Sequence, residues 1–370
     1  MKLLLTCGGT AGHVYPAVAL ARVFQQHHPD CQVLFVGADG GMELELVAKE
    51  GYDISTVTIS NFRRTLSPKQ WGHNLKSAWN VVASRRQAAA ILKEFRPDLV
   101  VGTGGYASFP AVRQAARMGI PTAIHESNAV PGLTTRALAK EVDLVMVGFE
   151  EAVKHYDDPS KVKVTGTPVR PDFFSLSREE AREKLGIPAD QPMVLSFWGS
   201  LGASVMNRQM TDFCARWFEE EKPFAHIHGA GRDHETMTGE LDRRGVDTEQ
   251  CDVRRYIYDM PAVMAAADLV LCRAGASTIS ELTAIGKPAV LVPSPNVTAN
   301  HQFKNAKVLA DRGGAVLIEE KDCSGDVLYD TVTELLSHGV KREEMRRAQL
   351  SLSVPTAAED IYGILVKLMK

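Results

Sequence analysis

No two of the six cysteines stand in C-x-x-C spacing. Cys7, Cys31, Cys214, Cys251, Cys272 and Cys323 are scattered, mostly in apolar strand-like or helical surroundings. That spacing excludes a zinc knuckle or dithiol redox motif and reads as buried thiols in a reducing compartment. Apolar runs are short: none approaches the ~18 residues of a membrane span. The opening MKLLL is too brief for a signal-peptide core and runs straight into glycines. Charge of one sign is lacking as well, since the net value of -3 disfavours a protein-wide affinity for nucleic acid. The first glycine loop is not a dinucleotide fingerprint, because Thr10 and His13 occupy two of the positions where G-x-G-x-x-G needs glycine. No Gly-Lys-Ser/Thr follows it, so it is not a Walker loop either. These absences leave a cytoplasmic, soluble chain, still free to sit on a membrane surface.

The 370 residues, 45% hydrophobic and 24% charged, suffice for two ordinary domains. Strands are predicted at Lys2–Cys7, Gln32–Val36, Leu99–Val101, Thr122–Ile124 and Leu144–Val147. They alternate with helical patterns at Tyr15–His27, Met42–Glu50, Asn74–Phe95 and Ala111–Met118. The rhythm restarts with strands at Met193–Phe197, Ala225–Ile227, Leu269–Leu271, Ala289–Val292 and Ala315–Ile318. Helices are predicted there at Ser204–Glu219, Pro261–Ala267, Ser277–Ile285 and Asn300–Arg312. Alternation of this kind means βαβ units and a mainly parallel sheet covered on both faces. Length and the restarted pattern favour two α/β domains over one large one. The connection falls in KVKVTGTPVRPDFFSL, with Gly166, Pro168 and Pro171 close together.

In doubly wound sheets ligands bind beyond the carboxyl ends of the strands, where strand order reverses. With the order 3-2-1-4-5-6, strands one and four flank that point. Both are followed here by glycine loops, CGGTAGH and GTGGYASFP, and strand five ends in HESN. A tight turn before a helix offers main-chain N–H groups to an anion. His13 lies at such a helix entrance, where the positive dipole end lowers an imidazole pKa and a neutral ring can act as a base. A helix-cap residue without chemistry is the plain alternative. In the second half, LCRAGASTISELTAIGKP places Gly275 at a sharp turn before a helix. Its N–H groups at Ala276, Ser277 and Thr278 suit a diphosphate, and Glu281, one turn on, suits ribose hydroxyls. A Ser or Thr cap, or a capping box using Glu281, explains the same residues without a ligand.

GGTAGH, GTGGYASFP, HESNAVPG, GTPVR, GSLGA and RAGASTISELTAIGKP occur in this order over nearly the whole chain. In them the sequence resembles the MurG family of GT-B glycosyltransferases. The resemblance implies two Rossmann-like doubly wound domains separated by a cleft. The first spans 1–162, with a C-terminal helix at about 352–370 packing back on it; the second, the donor-binding domain, spans 163–351. It also implies inverting transfer of GlcNAc from UDP-GlcNAc to the C4 hydroxyl of undecaprenyl-diphospho-MurNAc-pentapeptide (lipid I). The product is lipid II, a precursor of peptidoglycan. By motif, His13 is the catalytic base, and Thr10, Gly12, Tyr106, Glu126 and Asn128 face the acceptor. Arg170, Ser200, Ile257, Ala276, Ser277, Thr278, Glu281 and Gln302 hold UDP-GlcNAc, with uracil read by the backbone at Ile257, ribose by Glu281 and the sugar by Gln302. No cofactor or metal is implied at the transfer site, which agrees with the lack of any D-x-D triplet. Closure of the two halves would exclude water and limit hydrolysis.

Three positions depart from the family pattern. Ala11 replaces a glycine, which works only if that backbone does not need a positive φ. Ser127 stands where Gln is common, implying a shorter or absent contact to the acceptor. Trp198 replaces a small residue and would narrow the cleft. Rival activities for such a fold are a transferase acting on another lipid such as diacylglycerol, a UDP-GlcNAc 2-epimerase, and a non-catalytic nucleotide-sugar-binding protein.

The segment 61–96 carries eight Lys or Arg (Arg63, Arg64, Lys69, Lys76, Arg85, Arg86, Lys93 and Arg96) against Glu94 alone. Trp71, Leu75, Trp79 and Val82 recur at spacings that share one helix face. A basic patch beside an aromatic stripe suits an anionic membrane surface, though packing of the stripe on the sheet is an alternative. The lipid-linked acceptor favours the first reading and places the chain peripherally on the cytoplasmic face of the bacterial inner membrane. His226 and His228 form an H-x-H without a third ligand near in sequence, and read as a core or surface pair.

Overall fold

The computed structural model describes residues 1–59, 83–199, 201–248 and 251–369. The chain divides into two compact units, Met1–Arg170 with Val354–Lys370, and Pro171–Ser353.

The first unit is built on a seven-stranded parallel sheet. Its strands are β1 (Lys2–Thr6), β2 (Gln32–Ala38), β3 (Asp53–Val57), β4 (Leu99–Gly102), β5 (Thr122–Glu126), β6 (Leu144–Val147) and β7 (Val162–Val164), in the order β3-β2-β1-β4-β5-β6-β7. Register explains the run of leucines in β1. Leu3 and Leu5 point into one apolar core, with Val14, Val18 and Phe24 of the helix Ala11–His27; Leu4 points into the other, with Val100, Val112 and Leu92. A strand covered on both faces needs apolar residues at every position rather than every second one. The C-terminal helix Ala357–Leu368 joins the first of these cores through Ile361 and Leu365. Tyr362 stacks on His27 with ring centroids 4.2 Å apart and bonds His28 Nε2 through its hydroxyl.

The second unit holds a six-stranded parallel sheet. Its strands are β8 (Met193–Phe197), β9 (Ala225–Gly229), β10 (Asp252–Arg254), β11 (Leu269–Cys272), β12 (Ala289–Leu291) and β13 (Ala315–Leu317), in the order β10-β9-β8-β11-β12-β13. Both sheets therefore reverse strand order once, between β1 and β4 and between β8 and β11. The sheets are the doubly wound kind that the alternating pattern predicts. Trp198 does not project into open space: its ring is 3% exposed and belongs to the core of the second unit with Met206 and Met210. His226 and His228 are a core pair too, both held by Ser196 Oγ at 2.8 Å.

Among the described residues no helix is long and apolar enough to cross a membrane. The tryptophan stripe and the first four basic residues of the 61–96 segment lie outside the described residues. Its remainder is helical over 83–95 and exposes Arg85, Arg86 and Lys93, with Arg96 exposed just beyond.

Candidate active site

At the first switch point the loops after β1 and β4 interlock. Gly105 has φ +81°, and a Cβ there would overlap the Gly8 carbonyl, so only glycine lets the two backbones meet. Thr103 Oγ1 donates to the His13 carbonyl at 2.6 Å, and Ser108 Oγ donates to the Thr6 carbonyl at 2.9 Å. These bonds tie the helix start to the neighbouring strand.

That helix starts at Ala11, four residues before the predicted Tyr15, with Thr10 as its extended N-cap. Ala11 is thus helical and is not among the residues of positive φ, which is why a methyl group is accommodated. His13 falls in the first turn, partly buried. Its Nδ1 lies 2.8 Å from the Gly8 carbonyl oxygen and 3.3 Å from Thr10 Oγ1. A carbonyl only accepts, so Nδ1 carries the proton and, in the neutral ring, Nε2 keeps its lone pair. The ring lies on the backbone of Gly104, where a Cβ would stand 2.9 Å from Nε2. Tyr106 flanks Gly9, and burial raises its phenol pKa. Gly12 is the second residue of the helix.

After β5 the chain turns on Glu126, which is 4% exposed. Glu126 Oε1 accepts from the main-chain N–H of Asn128 at 3.0 Å and from its side-chain amide at 2.8 Å, and Oε2 accepts from Gly132 N–H at 2.9 Å. The carboxylate is engaged within its own loop, and Asn128 is presented at the surface of that loop. The Ser127 hydroxyl is 2% exposed and turned inward to His125 Nδ1 at 3.3 Å. His125 itself is buried, bonds the Gly166 carbonyl at 2.9 Å, and has its pKa lowered by that burial. Arg170 belongs to the first unit, its guanidinium stacked 4.4 Å over the Tyr15 ring.

The other expected donor residues are on the second unit. Ser200 lies outside the described residues. After β11, Arg273 is fixed by the Val292 carbonyl at 3.0 Å and by Glu320. The helix Ala276–Ile285 then begins with Gly275 as N-cap, without a side-chain cap and without an acid in its first turn. The Ser/Thr cap and the capping box are therefore not used. Nor is the turn left-handed: Gly275 has φ -65° and ψ 141°, and a Cβ there would meet only Thr278 Oγ1, at 3.8 Å. The fold does not require glycine here; its effect is to leave the helix N-terminus bare. Ser277 and Thr278 are half-exposed on that turn, and so is Glu281 one turn on. Ile257 is 5% exposed and packs on Gly229, while its main-chain N–H and C=O bond no group among the described residues. Gln302 accepts from Ser294 N–H at 2.8 Å through Oε1, which leaves its amide nitrogen to point elsewhere. Just before it, Ala299 and Asn300 hold φ of 55° and 51°, a left-handed pair without glycine. Strain of this kind collects at ligand-binding loops.

Sequence reasoning does not single out Glu43, which is fully buried between the ends of β1 and β2 and accepts from Gly9 N–H at 3.1 Å. The available signal is an acid two positions after the last glycine of GADGG. Among the described residues no three His, Cys, Asp or Glu side chains gather in a metal-binding group.

Residues 3–147 match the glycosyltransferase family 28 N-terminal domain, and residues 193–361 match the glycosyltransferase family 28 C-terminal domain. The chain is 42% identical over 371 residues to the UDP-N-acetylglucosamine--N-acetylmuramyl-(pentapeptide) pyrophosphoryl-undecaprenol N-acetylglucosamine transferase of Acetivibrio thermocellus, covering 100% of this chain and 99% of that one. It is 36% identical to the protein of the same name from Bacillus cytotoxicus, over the full length of both. Among solved structures, Acinetobacter baumannii MurG is similar with a TM-score of 0.74 at 28% identity, covering 99% of each chain. The UDP-GlcNAc 2-epimerase of Neisseria meningitidis shares the fold alone, with a TM-score of 0.68 at 14% identity over 99% of this chain and 100% of that one. Two doubly wound parallel units of this build define the class as GT-B. Within it, the chain belongs to the MurG family of glycosyltransferase family 28.

Proposed function

We propose that this chain transfers GlcNAc from UDP-GlcNAc to the C4 hydroxyl of lipid I, forming lipid II with inversion at the anomeric carbon. Full-length kinship with transferases named for these substrates supports the reading. The observation in the molecule that carries the chemistry is the 2.8 Å bond from His13 Nδ1–H to the Gly8 carbonyl. It leaves the Nε2 lone pair to take the acceptor proton as the C4 oxygen attacks. The new glycosidic bond forms as the bond from the anomeric carbon to the UDP oxygen breaks. The leaving diphosphate gains negative charge, and the bare N-terminus at Ala276, Ser277 and Thr278 supplies N–H groups and a positive dipole end to meet it. Arg170 and Ser200 add to that stabilisation. Glu281 holds the ribose, the main chain of Ile257 reads uracil, and Gln302 contacts the sugar. Thr10, Gly12, Tyr106, Glu126 and Asn128 form the acceptor side, Glu126 acting there by shaping the loop that presents Asn128.

The acceptor is lipid-linked, so the chain works peripherally at the cytoplasmic face of the inner membrane. Exposed Arg85, Arg86, Lys93 and Arg96 support an attachment to anionic headgroups. UDP release should be measured with a soluble lipid I analogue, a diacylglycerol and no acceptor, across a panel of UDP-sugars. Release only with UDP-GlcNAc plus the lipid I analogue is expected. Release with diacylglycerol, or of free ManNAc without acceptor, would replace this assignment. Replacing Arg63, Arg64, Lys76, Arg85 and Arg86 with Glu should weaken binding to anionic vesicles at low salt. Unchanged binding would remove the membrane patch.

A further inference from the structure

Glu43 opens the helix Glu43–Lys49 and is 0% exposed. A buried carboxylate is costly unless its oxygens are satisfied. Here Oε2 accepts from Gly9 N–H at 3.1 Å and Oε1 accepts from Ala38 N–H at 2.9 Å. Three glycines make room for it. A Cβ at Gly8 would stand 2.6 Å from Oε1, one at Gly37 would stand 2.6 Å from Cγ, and one at Gly41 would overlap the carboxylate itself. The chain thus forgoes three side chains to bring one acid to the back of the first glycine loop.

The consequence lies in the Gly8–Gly9 peptide. Its N–H edge faces Glu43 and its C=O edge faces His13 Nδ1. The unit is planar and trans, so fixing one edge fixes the other. An anionic acceptor on the N–H also polarises the unit and strengthens its carbonyl as an acceptor. We propose that Glu43 is a positioning residue: through the Gly8–Gly9 peptide it holds His13 in the Nδ1–H tautomer and aims the Nε2 lone pair. It touches neither substrate nor ring. The inference rests on the reading of His13 as the base, and its effect is on geometry and proton placement rather than on donor affinity.

The test has two parts. Ring nitrogen chemical shifts of His13 in the 15N-histidine-labelled wild-type chain, assigned by their loss in His13→Gln, are expected to show the Nδ1–H tautomer at neutral pH. The Nε2–H tautomer would overturn the proposal without any variant at Glu43. In Glu43→Gln the new amide can accept from one N–H but sets its own NH2 against the other. Turnover should then fall about ten- to hundredfold, with KM for UDP-GlcNAc within about twofold. The His13 tautomer mixture and the acid limb of the kcat–pH profile should move with it. If turnover falls while tautomer and pH profile stay put, Glu43 is merely structural and the proposal fails. If Glu43→Gln does not fold, the wild-type ring shifts decide alone. The base reading is tested separately: undiminished turnover in His13→Gln refutes it, whatever the tautomer shows.

Discussion

The two units reverse strand order at the same place in their sheets, yet glycine joins different loops in each. In the first, Gly105 of the loop after β4 meets Gly8 of the loop after β1, so the switch point itself is sewn together around the His13 ring. In the second, Gly202 of the loop after β8 meets Ala230 beyond β9, and Asn207 bonds the Ala230 carbonyl at 2.8 Å and Asp233 at 2.9 Å. The join is displaced by one strand, and the helix end at Ala276 beside the switch point stays bare. One scaffold therefore yields two surfaces. The first presents Nε2 of His13, suited to taking a proton; the second presents helix N-terminal N–H groups with no side-chain cap among the described residues, suited to holding an anion.

The sharpest way to break this division is to exchange its expected kinetic signatures. His13→Ala should lower kcat by about 10²- to 10⁴-fold, the scale of a lost general base, with UDP affinity little changed. Glu281→Ala should instead raise KM for UDP-GlcNAc by roughly ten- to hundredfold, the scale of lost hydrogen bonds to a charged group. Steady-state kinetics on both variants checks the pair, and a KM effect at His13 or a pure kcat effect at Glu281 would reverse the roles.

A second comparison sets clasp glycines against the open one. Gly105→Ala and Gly202→Ala each force a Cβ into a main-chain carbonyl at positive φ and should cost about 3 kcal/mol of stability. Gly275→Ala should cost about 1 kcal/mol or less while weakening UDP binding by a larger factor. Urea melts with and without UDP separate these outcomes. A Gly275→Ala chain that binds UDP normally would mean that the bare helix end is not the diphosphate site.

A third comparison concerns acid and the buried histidine pair of the second unit. Burial pushes His226 and His228 down to about 3. In the unfolded chain both rings take a proton near 6.5. Between those values the unfolded state binds more protons, so stability is full above about 6.5 and is lost as pH falls toward 3, by up to ~1.4 kcal/mol per ring per pH unit. Urea midpoints followed through tryptophan fluorescence from pH 7 to 4 should show this slope, and His228→Asn should reduce it. An unaltered slope in the variant would show that the ring is not what titrates.

The strands that escaped the sequence reading share one property. β3, β7 and β10 are three of the four edge strands, and most of their residues are half-buried or exposed. An edge strand has one hydrogen-bonded neighbour and less apolar cover, so its pattern is weak. The helix Arg178–Leu185 was also passed over, although its capping box of Ser177 and Glu180 is written in SREE. The start of the helix at Ala11 was hidden for a different reason. Gly12 and the internal Pro16 both argue against a helix through that stretch, and the contacts of His13 and Thr103 override them. The glycine loops themselves were plain in the sequence, as were His13 and the turn before Ala276. What was not visible was Glu43 behind them, because its role depends on glycines that precede it by 35, 6 and 2 positions.

By itself the sequence determined two parallel α/β units, the glycine loops at their switch points and the kinship they carry. Alternating apolar runs and glycine spacing are local properties, and they survive without coordinates. Only the tertiary structure decided which nitrogen of His13 faces the Gly8 carbonyl, that Trp198 and Ser127 turn inward, and that a buried carboxylate stands behind the first loop. Those facts depend on which distant backbone groups end within hydrogen-bond reach, and chain order does not encode that distance directly.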